Sequence, residues 1–279
     1  MFADDTSLIV SARTLEELQM AMKTVVDCFR CWCNTNRLIL NIDKTEIIYF
    51  HSYNSSTNDY NLTIHDRNNM LSSTQSTKFL GVFIDCNLKW SEQVNSVNMK
   101  LNKAFYAISR IKNTLPISAL INVYYSLAYS HMCYNVILWG NSVDSAKVFI
   151  TQKKIIRKIF NLDYQQSCKP IFIKHQILTF YCLYIYKCLL YVKQEINTFP
   201  VNADNHYYNT RSAESLRVPK HRTSKFQNSF RYMGLTLYNH LPKAVKEIPL
   251  STKFKNNVKD LLIRKAYYSI NEYLEDKLQ

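Results

Sequence analysis

Glycine is scarce, with 3 residues in 279, and no G-x-G-x-x-G or G-x-x-x-x-G-K run occurs. That excludes the glycine-rich phosphate loops of dinucleotide- and NTP-binding folds and argues against a turn-rich β-sandwich. Acidic residues are outnumbered, 21 Asp plus Glu against 35 Lys plus Arg, a net charge of +14. A polyanion is the partner such an excess fits, nucleic acid first, although a basic globular surface carries the same charge. Met1 is followed by Phe2-Ala3-Asp4-Asp5, without the basic start and apolar run of a secretory signal, so an intracellular location is expected. No apolar run reaches the roughly 20 residues of a membrane span. The most apolar stretch, Ile177 to Tyr186, is bounded by Lys174-His175 and Lys187 and reads as a buried helix. No membrane partner is expected.

What is present is apolar and aromatic. Hydrophobic residues make up 47 %, enough for a real core, and 20 Tyr and 14 Phe can fill that core or stack on bases. Residues 1–10 read as strand, tight turn, strand, with Asp4-Asp5 at the tip. The first strand is short against the usual length of about 5–6 residues, so Met1 reads as an internal methionine of a longer protein. Thr14 and Glu17 make a capping-box pattern. Leu15, Leu18, Met22, Val25, Phe29 and Trp32 then recur at helical spacing, predicting a helix over 14–34. A strand is expected over Thr45–Phe50, then a polar loop, then strands near 62–65 and 78–84. From Ser91 the periodicity turns helical: Val94, Val97, Leu101, Ala104, Ile108 and Ile111 fit one helix. Pro116 opens another, and further helices are predicted over 146–160, 171–196 and from a Ser251-Thr252 cap onward. The fold class is therefore α+β, mostly α, mixed to about residue 90 and helical beyond.

Two adjacent carboxylates at ~4 Å repel by about 1 kcal/mol in water and about 4 near a protein surface. A hard cation such as Mg²⁺ removes that cost and keeps room for waters and substrate phosphates; two such ions stabilise both oxygens of a phosphoryl transfer. Taken alone, an Asp-Asp pair is more often a turn.

The order of motifs adds to this. Phe2-Ala3-Asp4-Asp5-Thr6 resembles the aromatic-Ala-Asp-Asp motif of reverse transcriptases. Leu40-Asn41-Ile42-Asp43-Lys44-Thr45-Glu46-Ile47 resembles the next palm motif of the non-LTR retrotransposon (LINE-type) enzymes. Phe79-Leu80-Gly81-Val82-Phe83-Ile84-Asp85-Cys86-Asn87-Leu88-Lys89-Trp90 is similar to their primer grip. Tyr124 to Trp139 is similar to the helical segment beyond their thumb, and Tyr208-Asn209-Thr210-Arg211-Ser212 with Leu241-Pro242 to the tail of many arthropod-type members.

The resemblance implies a partial palm over 1–77, a primer-grip-like hairpin over 78–90, a helical thumb over 91–165 and a helical, basic extension over 166–279. It implies RNA-directed DNA polymerase activity in the full-length protein, with an RNA template, a DNA primer and deoxynucleoside triphosphates as partners, in nucleus and cytoplasm. Asp4 is then the expected direct Mg²⁺ ligand and Asp5 its catalytic neighbour. Lys44 is the expected acid for departing pyrophosphate, a role worth about 10²–10⁴ in rate, or else a solvated surface lysine. Phe79, Leu80, Gly81 and Val82 would hold the primer end. The family's third carboxylate sits on an earlier palm strand, which none of Asp27, Asp43, Asp66 and Asp85 follows. The chain by itself is therefore expected not to extend a primer. The alternative is a non-catalytic remnant that only binds nucleic acid; another is a helical interaction protein with incidental charge.

Candidate nucleic-acid contacts are Lys100 and Lys103 on the first thumb helix, and Lys153, Lys154, Arg157 and Lys158, with Lys147, on the helix over 146–160. Arg211, Arg217, Lys220, Arg222, Lys225 and Arg231 follow, interleaved with Tyr207, Tyr208, Phe226, Phe230 and Tyr232. Solvated faces and a flexible loop would look the same in sequence. Cys28, Cys31 and Cys33 lack a second Cys/His pair at zinc spacing, and like Cys182 and Cys188 read as buried thiols. His131 and His175 read as core or interface residues.

Overall fold

The computed structural model describes residues 5–51, 63–66, 69–205 and 214–277, with the backbone alone at 63–66, 69–71 and 204–205. The described residues are mostly helical with a few short strands. The chain divides into two compact units, Met1–Leu88 and Lys89–Gln279.

In the first unit, helix α1 (Leu15–Thr35) starts as the sequence predicts. The Thr14 hydroxyl accepts from the Glu17 amide at 3.2 Å and the Glu17 carboxylate accepts from the Thr14 amide. Leu15, Leu18, Met22 and Val26 lay one stripe over buried Ile47. Trp32, expected in that stripe, is exposed. Strands β1 (Ile47–Ile48), β2 (Thr63–Asp66) and β3 (Asn69–Thr74) form a sheet in the order β1-β3-β2, with β1 parallel and β2 antiparallel to β3. The expected strand over 45–50 is shorter because β3 offers it only Ser73 and Thr74. No strand forms over 6–10. The first strand of the expected amino-terminal hairpin falls on residues 1–4, outside the described ones. The region read as one strand over 78–84 is a separate hairpin, β4 (Ser76–Phe79) and β5 (Val82–Asp85).

The second unit is a helical body around one continuous core. Helix α2 (Ser91–Ile111) buries Val94, Val97, Leu101, Ala104 and Ile108, the stripe its periodicity predicted. Helix α3 (Ile117–Tyr124) runs through a π-helical turn, Tyr125–Tyr129, into α4 (Ser130–Cys133); α5 (Val136–Trp139) follows. Pro116 caps α3 from outside rather than lying within its first turn. Helix α6 (Ala146–Phe160) packs against α2 and buries Val148, Ile155, Ile156 and Ile159 in the shared core. The Thr151 hydroxyl donates to Asn98 Oδ1 at 2.6 Å across that interface.

The single helix expected over 171–196 is two, α7 (Lys169–Lys174) and α8 (Phe180–Gln194). The break is built from buried polar groups. Gln152 on α6 donates from Nε2 to the Leu178 carbonyl at 2.9 Å and accepts the Phe180 amide at 2.8 Å. Thr179 Oγ1 accepts the Cys182 amide as the N-cap of α8 and donates to the Tyr267 carbonyl at 2.6 Å. These partners satisfy backbone groups that a break would otherwise leave bare. Helices α9 (Ser224–Asn228), α10 (Phe230–His240), α11 (Lys243–Lys246), α12 (Thr252–Lys265) and α13 (Ile270–Glu275) complete the unit. The Ser251 hydroxyl caps α12 as its sequence suggested.

Candidate nucleic-acid interface

The β4–β5 hairpin turns through Leu80 (φ 45°) and Gly81 (φ 81°), with Phe79 paired to Val82. Two central residues at positive φ are what the type I′ turn of a two-residue hairpin demands. Glycine takes that region freely, whereas an aliphatic residue pays roughly 1–2 kcal/mol for it. Strain at Leu80 therefore buys a projecting apolar tip. Phe79 and Leu80 are both exposed while Val82 is buried, so the turn presents one pair outward and anchors through the other. Thr77 donates to the Glu46 carboxylate, fastening β4 to the segment before β1. After β5, Cys86 N donates to the Gln75 carbonyl at 2.9 Å, and Asp85 Oδ1 accepts the Asn87 amide at 3.1 Å.

Asp5 is exposed, and Asp4 lies outside the described residues, so the acidic pair as a whole is not placed. Lys44 is exposed at the end of the 3-10 turn Ile42–Lys44, whose first residue is preceded by Asn41; the Asn41 side chain accepts the Lys44 amide at 3.3 Å. Among the described residues no three His, Cys, Asp or Glu side chains converge as a metal site. Asp4 and Asp5 are oxygen donors of the right chemistry for Mg²⁺.

The cations of α6 lie on its outer arc. Lys147, Lys154 and Lys158 stand seven and four residues apart, one stripe; Lys147 pairs with Asp144 at 2.7 Å. That bond and one from the Ser91 hydroxyl hold the Asp144 carboxyl below the ordinary carboxylate range. Among the described residues Lys153, Lys154, Arg157 and Lys158 have no carboxylate within ion-pair distance. Lys100 and Lys103 are exposed on α2. The chain matches no family model, no curated protein and no solved structure.

The second basic segment is only partly in view. Arg211, Tyr207 and Tyr208 lie outside the described residues. Arg217, Lys220, Arg222, Lys225 and Arg231 are all exposed. Their neighbouring rings are spent on packing: Phe230 meets Tyr191 edge-on at 4.7 Å, and Tyr232 meets His221 at 4.6 Å. Glu214, the acid of that segment, pairs with Lys243 at 3.0 Å.

Two residues the sequence did not single out join the first cluster. Tyr164 is 85 % exposed, and its ring centre lies 5.7 Å from the Arg157 guanidinium. Lys169 opens α7 and pairs with Glu272 at 2.7 Å. A lone aromatic in the polar run Asp163 to Ser167 was the available signal for Tyr164; nothing local marked Lys169.

Cys182 and Cys188 are buried, as expected, and burial pushes both thiols up to about 12. Cys28 and Cys31 are exposed, against expectation. Cys33 shares the Leu15–Val26 face of α1, whereas 28 and 31 fall on its far side at 100° per residue. His175 packs against Phe160 with the rings tilted and their centres 4.3 Å apart, and His131 is half-buried; burial, with Lys174 and Lys100 respectively, lowers both imidazole pKa values. Among the described residues no helix is long and apolar enough to cross a membrane.

Proposed function

We propose that this chain is part of an RNA-directed DNA polymerase of the non-LTR retrotransposon type: palm segments, a primer-grip hairpin and a helical, basic thumb and extension. What supports the reading is the strained two-residue turn at Leu80-Gly81. It stands where the motif order calls for a hairpin to meet a primer end, and it exposes Phe79 and Leu80 at the tip. In the full-length protein Asp4 and Asp5 would hold Mg²⁺, which polarises phosphate oxygens and neutralises developing charge. Lys44 would give a proton to the leaving pyrophosphate. Template and primer would lie along the cations of α2 and α6, with deoxynucleoside triphosphates as substrate.

A non-catalytic nucleic-acid-binding remnant is the second reading; it rests on the cations of α6 alone, which among the described residues have no carboxylate within ion-pair distance beyond the Lys147–Asp144 pair. Primer extension does not separate the two readings while the isolated chain stays silent, as both expect; extension that disappears in Asp4→Asn would overturn that shared expectation and, with it, the second reading. Hybrid binding tests the first. Leu80→Gly keeps the turn and removes the tip, so affinity for an RNA–DNA hybrid with a recessed 3′ end falls several-fold while affinity for a blunt hybrid holds. Equal affinities in both proteins would remove the hairpin from the account.

A further inference from the structure

Around Tyr268 the second unit gathers positive charge that the acids among its described residues do not neutralise. Lys153 Nζ lies 5.5 Å from the centre of the Tyr268 ring and 4.7 Å from that of Phe149. Lys169 Nζ lies 5.7 Å from the Tyr268 ring. Glu272 is the carboxylate within reach, and it is already committed: Oε1 to Lys169 at 2.7 Å, Oε2 to the Tyr268 amide at 2.5 Å. Arg157 donates from Nη2 to the Gln166 carbonyl at 3.3 Å, while its Nε, sealed from solvent, has no partner. A guanidinium has five N–H donors; the sealed Nε cannot meet a ligand, and the Gln166 carbonyl takes up only one of the four Nη hydrogens. The Tyr268 hydroxyl is likewise sealed off without a well-formed hydrogen bond, beside Ser167. Over Arg157 lies the Tyr164 ring, almost wholly in solvent.

Two unpaired cations plus a third shared with one acid suit an anion bearing several acceptor oxygens, and Arg pairs with phosphate through parallel N–H bonds. A large ring left in water beside them is a stacking platform, since every base has a π-face. We propose that Lys153, Arg157 and Lys169 hold a backbone phosphate and Tyr164 stacks on the neighbouring unpaired base, a binding site for single-stranded nucleic acid. The site rests on the nucleic-acid reading above and specifies its form. A paired base in a duplex has its faces covered by its neighbours, so Tyr164 distinguishes single strands from duplex.

The test is fluorescence anisotropy with a labelled twelve-nucleotide poly-uridine and, separately, a blunt RNA duplex of equal length. Tyr164→Ala weakens the single strand about tenfold, leaves the slope of log affinity against log salt unchanged, and leaves duplex binding and melting temperature as they were. Lys153→Gln lowers that slope by about 0.7 for the single strand. If the chain binds both probes and Tyr164→Ala weakens them equally or not at all, the site is wrong and the nucleic-acid reading survives. If neither probe binds at low salt, both fall together.

Discussion

Gln152, fully buried on α6, donates from Nε2 to the Tyr124 hydroxyl at 2.8 Å and accepts the Phe180 amide through Oε1 at the same distance. One side chain thus locks the helix that carries the cations to the start of α8 and to the π-helical turn after Tyr124. A buried amide with its partners met stabilises a single arrangement; removed, it leaves each partner unsatisfied in an apolar site.

Gln152→Ala is therefore expected to cost about 3 kcal/mol, from stranded Tyr124, Leu178 and Phe180 groups and a small cavity. Denaturant melts of the variant read this directly. A shift under about 0.5 kcal/mol, the size of an ordinary surface substitution, would show the network to be incidental.

Leu80→Gly relieves a left-handed aliphatic residue, at the expense of a more flexible unfolded chain. The balance is a gain of about 0.5–1 kcal/mol in the first unit. Differential scanning calorimetry checks it. A loss would mean that the Leu80 side chain carries packing that the turn geometry does not reveal.

Stability should also depend on pH near neutrality. His131 and His175 have imidazole pKa values below the ordinary 6.5, through burial first and the nearby Lys100 and Lys174 second. The unfolded chain then binds protons that the folded chain resists. Stability is full above pH 6.5 and falls as pH drops through and below that value. Melting temperature from pH 8 to pH 5 should decline less in a His131→Gln, His175→Gln variant; identical declines would remove both histidines from the cause.

Thiol chemistry separates the cysteines. The thiolate is the reactive form, and burial keeps Cys182 and Cys188 protonated at any ordinary pH. In the native chain iodoacetamide at pH 8 should label Cys28 and Cys31 first, with Cys182 and Cys188 reacting only on unfolding. Mass spectrometry that finds Cys182 labelled early would contradict the packing of α8.

Helical periodicity made much of the second unit legible. The stripe Val94 to Ile108, the span of α6 and the Ser251 cap were all visible because each depends on neighbours within a few residues. The break at 175–179 was not, since it depends on Gln152 and on Tyr267, far off in the chain. The helices α10 and α13 were missed for a similar reason: α10 gains meaning only against α8, and α13 only against α10, where the Tyr273 hydroxyl donates to the Leu237 carbonyl. In the first unit strand extents were misread because a strand ends where its partner does. Of the candidate site, the cations were legible as composition. Which of them lack an acid partner, and which rings are free of packing, is a property of the fold.

On the reading proposed above, the cations of the helical unit that lack an acid partner engage nucleic acid through its phosphates. The most direct measurement is the affinity of the intact chain for an RNA–DNA hybrid across a salt series. The account predicts tight binding at about 50 mM salt and a loss of about a hundredfold or more by about 200 mM, reduced when Lys153, Lys154, Arg157 and Lys158 are all changed to Gln. Binding that is absent at low salt, or that scarcely changes across the series, would contradict it.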